Sequence, residues 1–165
     1  MIIFGVDPGT AKMGFGVIEF DHDSRLIAHG VLETPAKTSM PGRLRTLYEH
    51  VTELLDAHKP AVLAVEQLFF AQNVTTALSV GQARGIVLLA AAQRDIPVQE
   101  YTPSEIKQSI VGYGKADKSQ IQEMVRMILN LESIPQPDDA ADAIAVAICY
   151  AHHASGYGAM TENWR

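Results

Sequence analysis

The chain is poor in the residues that cross-link a protein or anchor it in a membrane. Of its 165 residues only Cys149 is a cysteine, so an internal disulfide and thiolate zinc sites are both excluded. That usage fits a reducing cytoplasm. No uninterrupted apolar run approaches the ~20 residues of a membrane helix. The N-terminus passes from Met1-Ile2-Ile3-Phe4-Gly5-Val6 straight to Asp7, without a basic leader or a cleavage site. The expectation is a cytoplasmic protein, neither secreted nor membrane-spanning. Basic residues are also scarce: 13 Lys and Arg against 19 Asp and Glu leave a net charge of −6, the reverse of the usual nucleic-acid footprint. Such a sum hides local arrangement, and carboxylates gathered around divalent cations are neutralised in the working state. Two motifs are missing as well. There is no HExxH among the six histidines, and Gly112-Tyr113-Gly114-Lys115 lacks the GxxxxGK[ST] spacing of a phosphate-binding loop.

What remains is a globular composition, 47% hydrophobic and 19% charged, long enough to bury ~70% of the unfolded surface in one domain. Residues 1–155 are expected to form that domain and 156–165 a flexible tail. Ile2 to Val6, Met13 to Phe20 and Arg25 to Glu33 read as an antiparallel meander, separated by Pro8-Gly9-Thr10 and Asp21-His22-Asp23-Ser24. Leu44, Leu47, Tyr48, Val51, Leu54 and Leu55 fall on one helical face between Gly42 and His58. Ala61 to Val65 is a short apolar run suited to a strand buried on both sides. A helix joins it to the first sheet, which implies parallel pairing. A helix over Val74 to Gln93, a strand over Ile96 to Tyr101 and helices near Ser104 to Ile110, Lys118 to Leu129 and Asp139 to His153 complete the pattern. The fold class is α/β, a mixed five-stranded sheet with helices on both faces.

Four acids stand where the local pattern is otherwise apolar. Asp7 ends the first strand before a Pro-Gly turn, Glu66 follows the run Ala61 to Val65, and Asp139 and Asp142 lie three apart on one face of an alanine-rich helix. Each has a plainer alternative: a side-chain turn for Asp7, an exposed strand end for Glu66, and a helix cap with a first-turn acid for Asp139 and Asp142. Taken together they form a cluster that would repel itself without cations. An oxygen-only donor set of this kind selects Mg²⁺ or Mn²⁺. Asp138 is left as a spare cap or a group supporting the ligands. Cys149 reads as core. His153 lies ~16 Å along the helix from Asp142, too far for a shared metal. The helix Val74 to Gln93 carries more apolar surface than one side needs, which suits a two-fold dimer interface or, alternatively, burial within one subunit.

With these residues assembled, the chain resembles the RuvC family of bacterial Holliday junction resolvases, within the RNase H-like and retroviral-integrase nucleases. The resemblance spans roughly residues 1 to 155. It rests on Gly5-Val6-Asp7-Pro8-Gly9, Val65-Glu66-Gln67 with Phe69 and Asn73, Gly81-Gln82-Ala83-Arg84-Gly85, Val111-Gly112 with Lys118-Ser119-Gln120, and Asp139-Ala140-Ala141-Asp142-Ala143. It implies an RNase H-like sheet and a homodimer that cuts two opposed strands of four-way junction DNA in recombination and repair. The catalytic and metal-binding acids would be Asp7, Glu66, Asp139 and Asp142, on a two-metal site of Mg²⁺ or Mn²⁺. DNA contacts would come from Lys107, Lys118 and Arg84, with Phe69 rather than Phe70 stacking on an unpaired base. A RuvA–RuvB branch-migration complex would be the partner. Rival readings are an RNase H-like nuclease acting on RNA, a junction-binding module without cleavage, and a sugar-kinase or actin-like protein. The last needs two such domains and more residues than are present.

Overall fold

The computed structural model describes residues 1–67 and 74–156. Strands β1 (Ile2–Asp7), β2 (Lys12–Asp21) and β3 (Asp23–Glu33) form the meander, followed by helix α1 (Met40–His58), β4 (Val62–Glu66), α2 (Val74–Ala92) and β5 (Val98–Tyr101). Helices α3 (Pro103–Val111), α4 (Lys118–Ile128) and α5 (Asp138–Ala154) close the chain. The sheet order is β3-β2-β1-β4-β5. β1–β2 and β2–β3 are antiparallel, whereas β1–β4 and β4–β5 are parallel, as crossover helices between β3 and β4 and between β4 and β5 require.

Helix boundaries follow local chemistry. Lys59, in the left-handed region at φ 46°, returns its N–H to Leu55 O and ends α1. α3 and α4 start with reciprocal capping boxes, Thr102 with Glu105 and Asp117 with Gln120. The sheet separates two cores. Phe4, Val6, Val17, Leu63 and Val65 face Leu47, Val51 and Leu55 of α1 and Ala83, Val87, Ala90 and Ala91 of α2. Ile3, Ile18, Val62, Ala64 and Tyr101 face α3, α4 and α5. The expected helices on both faces are therefore present.

The apolar character of α2 exceeds the sequence expectation. Among the described residues its segment Thr75–Ala92 is the one stretch long and apolar enough by composition to span a membrane. One side of that helix packs into the sheet core, and Leu78 and Leu89 on the other are exposed at 64% and 48%.

Candidate active site

Strand alternation decides which way the first two acids point. Ile3 and Val62 are paired and share the α5 face, as do Gly5 and Ala64 two residues further on. One more step along the same register brings Asp7 beside Glu66 at the carboxyl edge of the sheet, both toward α5. Asp7 is held there by a tight turn. A Cβ on Gly9 would lie 2.1 Å from Lys12 O, and Thr34 Oγ1 donates to Thr10 O at 2.6 Å.

The other two acids arrive because α5 comes unusually close to the sheet. It crosses β1 and β2 over three glycines that leave no room for a side chain. A Cβ on Gly5 would sit 2.2 Å from Ala143 O, one on Gly14 1.9 Å from Asp139 O, and one on Gly16 2.6 Å from Ile144. The helix answers with Ala140, Ala141, Ala143, Ala145 and Ala147, all buried. Gly14 pairs with Asp7 across β1–β2. The contact that seats the first turn of α5 therefore lies beside the first acid.

Asp7 stands in the field of the other three acids. Burial, followed by the charges of Glu66, Asp142 and Asp139, pushes the Asp7 carboxyl up to about 7, against a smaller opposing pull from Lys118. Burial and Asp142 raise Glu66, and Lys107 pulls it back. Lys118 Nζ donates to Asp142 Oδ2 at 2.9 Å and lies 3.4 Å from Asp138 Oδ2, which holds its own pKa above the ordinary lysine value. A cleft of about 270 Å³ opens here, lined by Glu66, Lys107, Lys118 and Asp142 over an apolar floor that includes Ile106 and Val146.

The geometry bears on the plainer alternatives, and Asp139 does stand in the first turn of α5. Among the described residues the Asp7 carboxyl has no hydrogen-bond partner in its turn, and Glu66 is half-buried. Asp139 is not the cap of α5, because Pro137 takes that position and no side chain caps the helix. Arg84 stands apart from the cleft lining on α2, with Nη2 on Glu100 Oε1 of β5. Phe69 and Phe70 lie outside the described residues, as does the tail from 157 onward. Cys149 is buried core, its thiol pushed up to about 12 by burial, and the His153 ring lies tilted against Tyr101 with centroids 5.0 Å apart. The sequence reading missed Gly14 and Gly16. Their signal was available as two glycines on one face of a strand, opposite a helix of alanines.

The donor set fits a hard divalent cation. Among the described residues no three Asp, Glu, His or Cys side chains converge into a ready-made cage. Mg²⁺ and Mn²⁺ seldom need one, because they take one or two carboxylates and complete their shells with water and substrate phosphate.

Comparison with known proteins identifies the family of the chain as a whole. Residues 3–150 match the family model described as crossover junction endodeoxyribonuclease RuvC. Proteins of that name from Desulfitobacterium hafniense and Heliobacterium modesticaldum are 56% and 54% identical over 154 residues. They cover 92% of this chain and 93% and 94% of their own. The structure of Thermus thermophilus RuvC in complex with Holliday junction substrate superimposes with a TM-score of 0.91 at 35% identity, over 96% of this chain and 97% of that one. The chain belongs to the RuvC family of crossover junction endodeoxyribonucleases.

Proposed function

We propose that Asp7, Glu66, Asp139 and Asp142 are the catalytic acids with which this resolvase cuts four-way junction DNA, as a homodimer making paired, symmetric nicks. The observation that carries the reading is the placement of four acids at two strand ends and one helix start, where burial, followed by the charges of Glu66, Asp142 and Asp139, raises the Asp7 carboxyl to about 7. They would hold two cations, Mg²⁺ or Mn²⁺. Such a pair, when bound, lowers the pKa of an attacking water and stabilises the departing 3′ oxygen. Hydrolysis breaks the bond from phosphorus to that oxygen and leaves 5′-phosphate and 3′-hydroxyl ends.

The remaining roles fall to residues of the chain. Lys107 and Lys118, on the wall of the cleft, offset phosphate charge that the acids and their cations leave uncovered. Phe69, three residues after Glu66 in sequence, supplies a ring on which an unpaired crossover base stacks. Arg84 reaches DNA from α2, where Glu100 holds its guanidinium in place. The exposed stripe Leu78, Gly85 and Leu89 on α2 is assigned to the two-fold interface. Its glycine leaves open space where a side chain would stand. Family resemblance supports the cytoplasm as the compartment and a RuvA–RuvB branch-migration complex as the partner.

The test incubates the protein with a synthetic four-way junction, a plain duplex and an RNA–DNA hybrid, each with Mg²⁺, Mn²⁺ or EDTA, and maps the ends. Paired symmetric nicks in the junction alone, abolished by EDTA, are the expected result. Preferential cutting of the hybrid would transfer the site to RNA, and junction binding without cutting under either metal would make the chain a binding module. A monomer at micromolar concentration in light scattering would remove the paired cut.

A further inference from the structure

Lys118 is an unusual residue to find where it stands. It is the first residue of α4, where the helix dipole and the free N–H groups disfavour a cation, and Asp117 with Gln120 already satisfies that terminus. Its position is explained by what it faces across the cleft. Lys118 Nζ donates to Asp142 Oδ2 at 2.9 Å and approaches Asp138 Oδ2 at 3.4 Å. Asp138 is the first residue of α5, caps nothing, and at 55% side-chain exposure is the more open of the two acids, against 31% for Asp142.

These contacts set up a competition. If Asp142 is a metal ligand, a divalent cation and the Lys118 ammonium claim the same carboxylate, and the two positive charges repel each other. We infer that Asp138 is a positioning residue that gives Lys118 a second seat, so that the ammonium moves from Asp142 onto Asp138 as metal is bound and stays beside the site where phosphate charge must be met. Without Asp138 the lysine has, among the described residues, only Asp142 as an ion-pair partner. Metal must then strip it of its one carboxylate partner, and affinity falls. The inference rests on the reading of the four acids as metal ligands.

The experiment is a double-mutant cycle with Mn²⁺ affinity of the DNA-free protein as its readout, measured by calorimetric titration or by the electron paramagnetic resonance of free Mn²⁺. Asp138→Asn is expected to weaken Mn²⁺ binding about three- to fivefold, the scale of an exposed ion pair, with Asp138→Glu restoring it. Lys118→Met is expected to tighten binding, and Asp138→Asn added to that variant to change it little. An equal loss in both backgrounds would overturn the inference, because Asp138 would then act on the cation through its own charge, and so would no loss in either. Absence of Mn²⁺ binding by the unmodified protein is a separate failure, that of the metal-site reading itself. Thermal melts of the metal-free variants show that each is folded before it is titrated.

Discussion

The two faces of the sheet solve opposite packing problems. Toward α1 and α2 the sheet carries bulk: Phe4, Leu63 and Val65 meet Leu47, Val51 and Leu55, and Phe4 stacks on Phe15 with centroids 6.1 Å apart. Toward α5 it carries almost nothing, with Gly5, Gly14 and Gly16 under a run of alanines. The bulky face stabilises the domain by the apolar area it removes from water. The thin face gives up some of that area and gains position, because a helix laid on backbone cannot slide outward on flexible side chains. All four acids are delivered from the thin face or its carboxyl edge. Side-chain volume therefore serves stability on one side and the geometry of the proposed metal site on the other.

The sharpest break in that comparison removes chemistry and leaves both faces intact. Asp7→Asn is close to isosteric and touches neither core, and it takes one charge from the proposed metal site. Cleavage of a four-way junction is expected to fall by on the order of 10³-fold or more, while junction binding, which rests on a surface of other residues, stays near the unmodified level. Gel-shift and cleavage assays on one preparation read both quantities. Loss of binding in parallel with cleavage would dissolve the separation between metal site and DNA surface.

Gly14→Ala breaks the thin face and leaves every acid in place. The new methyl would stand 1.9 Å from Asp139 O, a backbone atom that can yield only if the first turn of α5 lifts. Such a lift is expected to cost about 1–3 kcal/mol of stability. It is also expected to lower cleavage by roughly 10²-fold, because a shift of about 1 Å in catalytic groups has that scale of consequence. Near-normal cleavage at saturating Mg²⁺ would show that the close approach is packing alone. Leu55→Ala breaks the bulky face. Leu55 is fully buried against the opposite side of the sheet, so a loss of about 2–5 kcal/mol is expected in denaturant unfolding, with the turnover of the folded fraction unchanged. A matching drop in turnover would mean that the two faces are mechanically coupled.

Much of this was legible in the sequence, and the reasons differ between regions. Strand and helix identities followed from periodicities of two and 3.6, which bulky faces write plainly: Leu47, Val51 and Leu55 are spaced for one side of α1 and are buried there. The acids were legible because charge in an apolar run is costly unless it is used. Their meeting was not, because it depends on the register of β1 with β4 and on the depth at which α5 sits. Glycine and alanine set that depth by what they omit, so hydrophobic patterning does not register it. Of the two roles assigned to Asp138, the helix cap falls to Pro137, and the supporting role rests on a contact with Lys118, 20 residues earlier, that no local pattern encodes. Arg84 illustrates the same limit from the other side, since its ion pair with Glu100 spans two elements whose packing no local motif encodes.

The smallest effect concerns how the metal-free protein responds to pH. Asp7 takes its proton near 7 when folded and near 3.8 when unfolded, so between those values the native state binds more protons and stability falls as pH rises. Below about 4 both states are protonated and the penalty is absent, and above about 7 the folded protein bears the full cost of a buried charge and of its repulsion by Glu66, Asp142 and Asp139. Glu66 is shifted the same way. His152, whose pKa burial lowers, works in the opposite sense across the same range. The acids held low by partners, Glu19, Asp56, Glu105, Asp117 and Glu123, contribute stability that is lost only as pH falls below the ordinary carboxylate range. Comparing the unmodified chain with Asp7→Asn over pH 5 to 8 in EDTA therefore isolates Asp7. Its removal is expected to raise the melting temperature at pH 8 by about 4–8 °C, corresponding to ~2 kcal/mol in a chain of this size, and by roughly a third as much at pH 5, where the native state still holds the proton. Saturating Mg²⁺ is expected to remove that advantage, because cations that hold the ionised acids stabilise the unmodified protein and bind the variant poorly. Parallel melting curves for the two proteins across this range would mean that neither burial nor the neighbouring acids raise the Asp7 carboxyl in the folded chain, and the thin face would lose its claim to have set Asp7 in a buried, acidic corner.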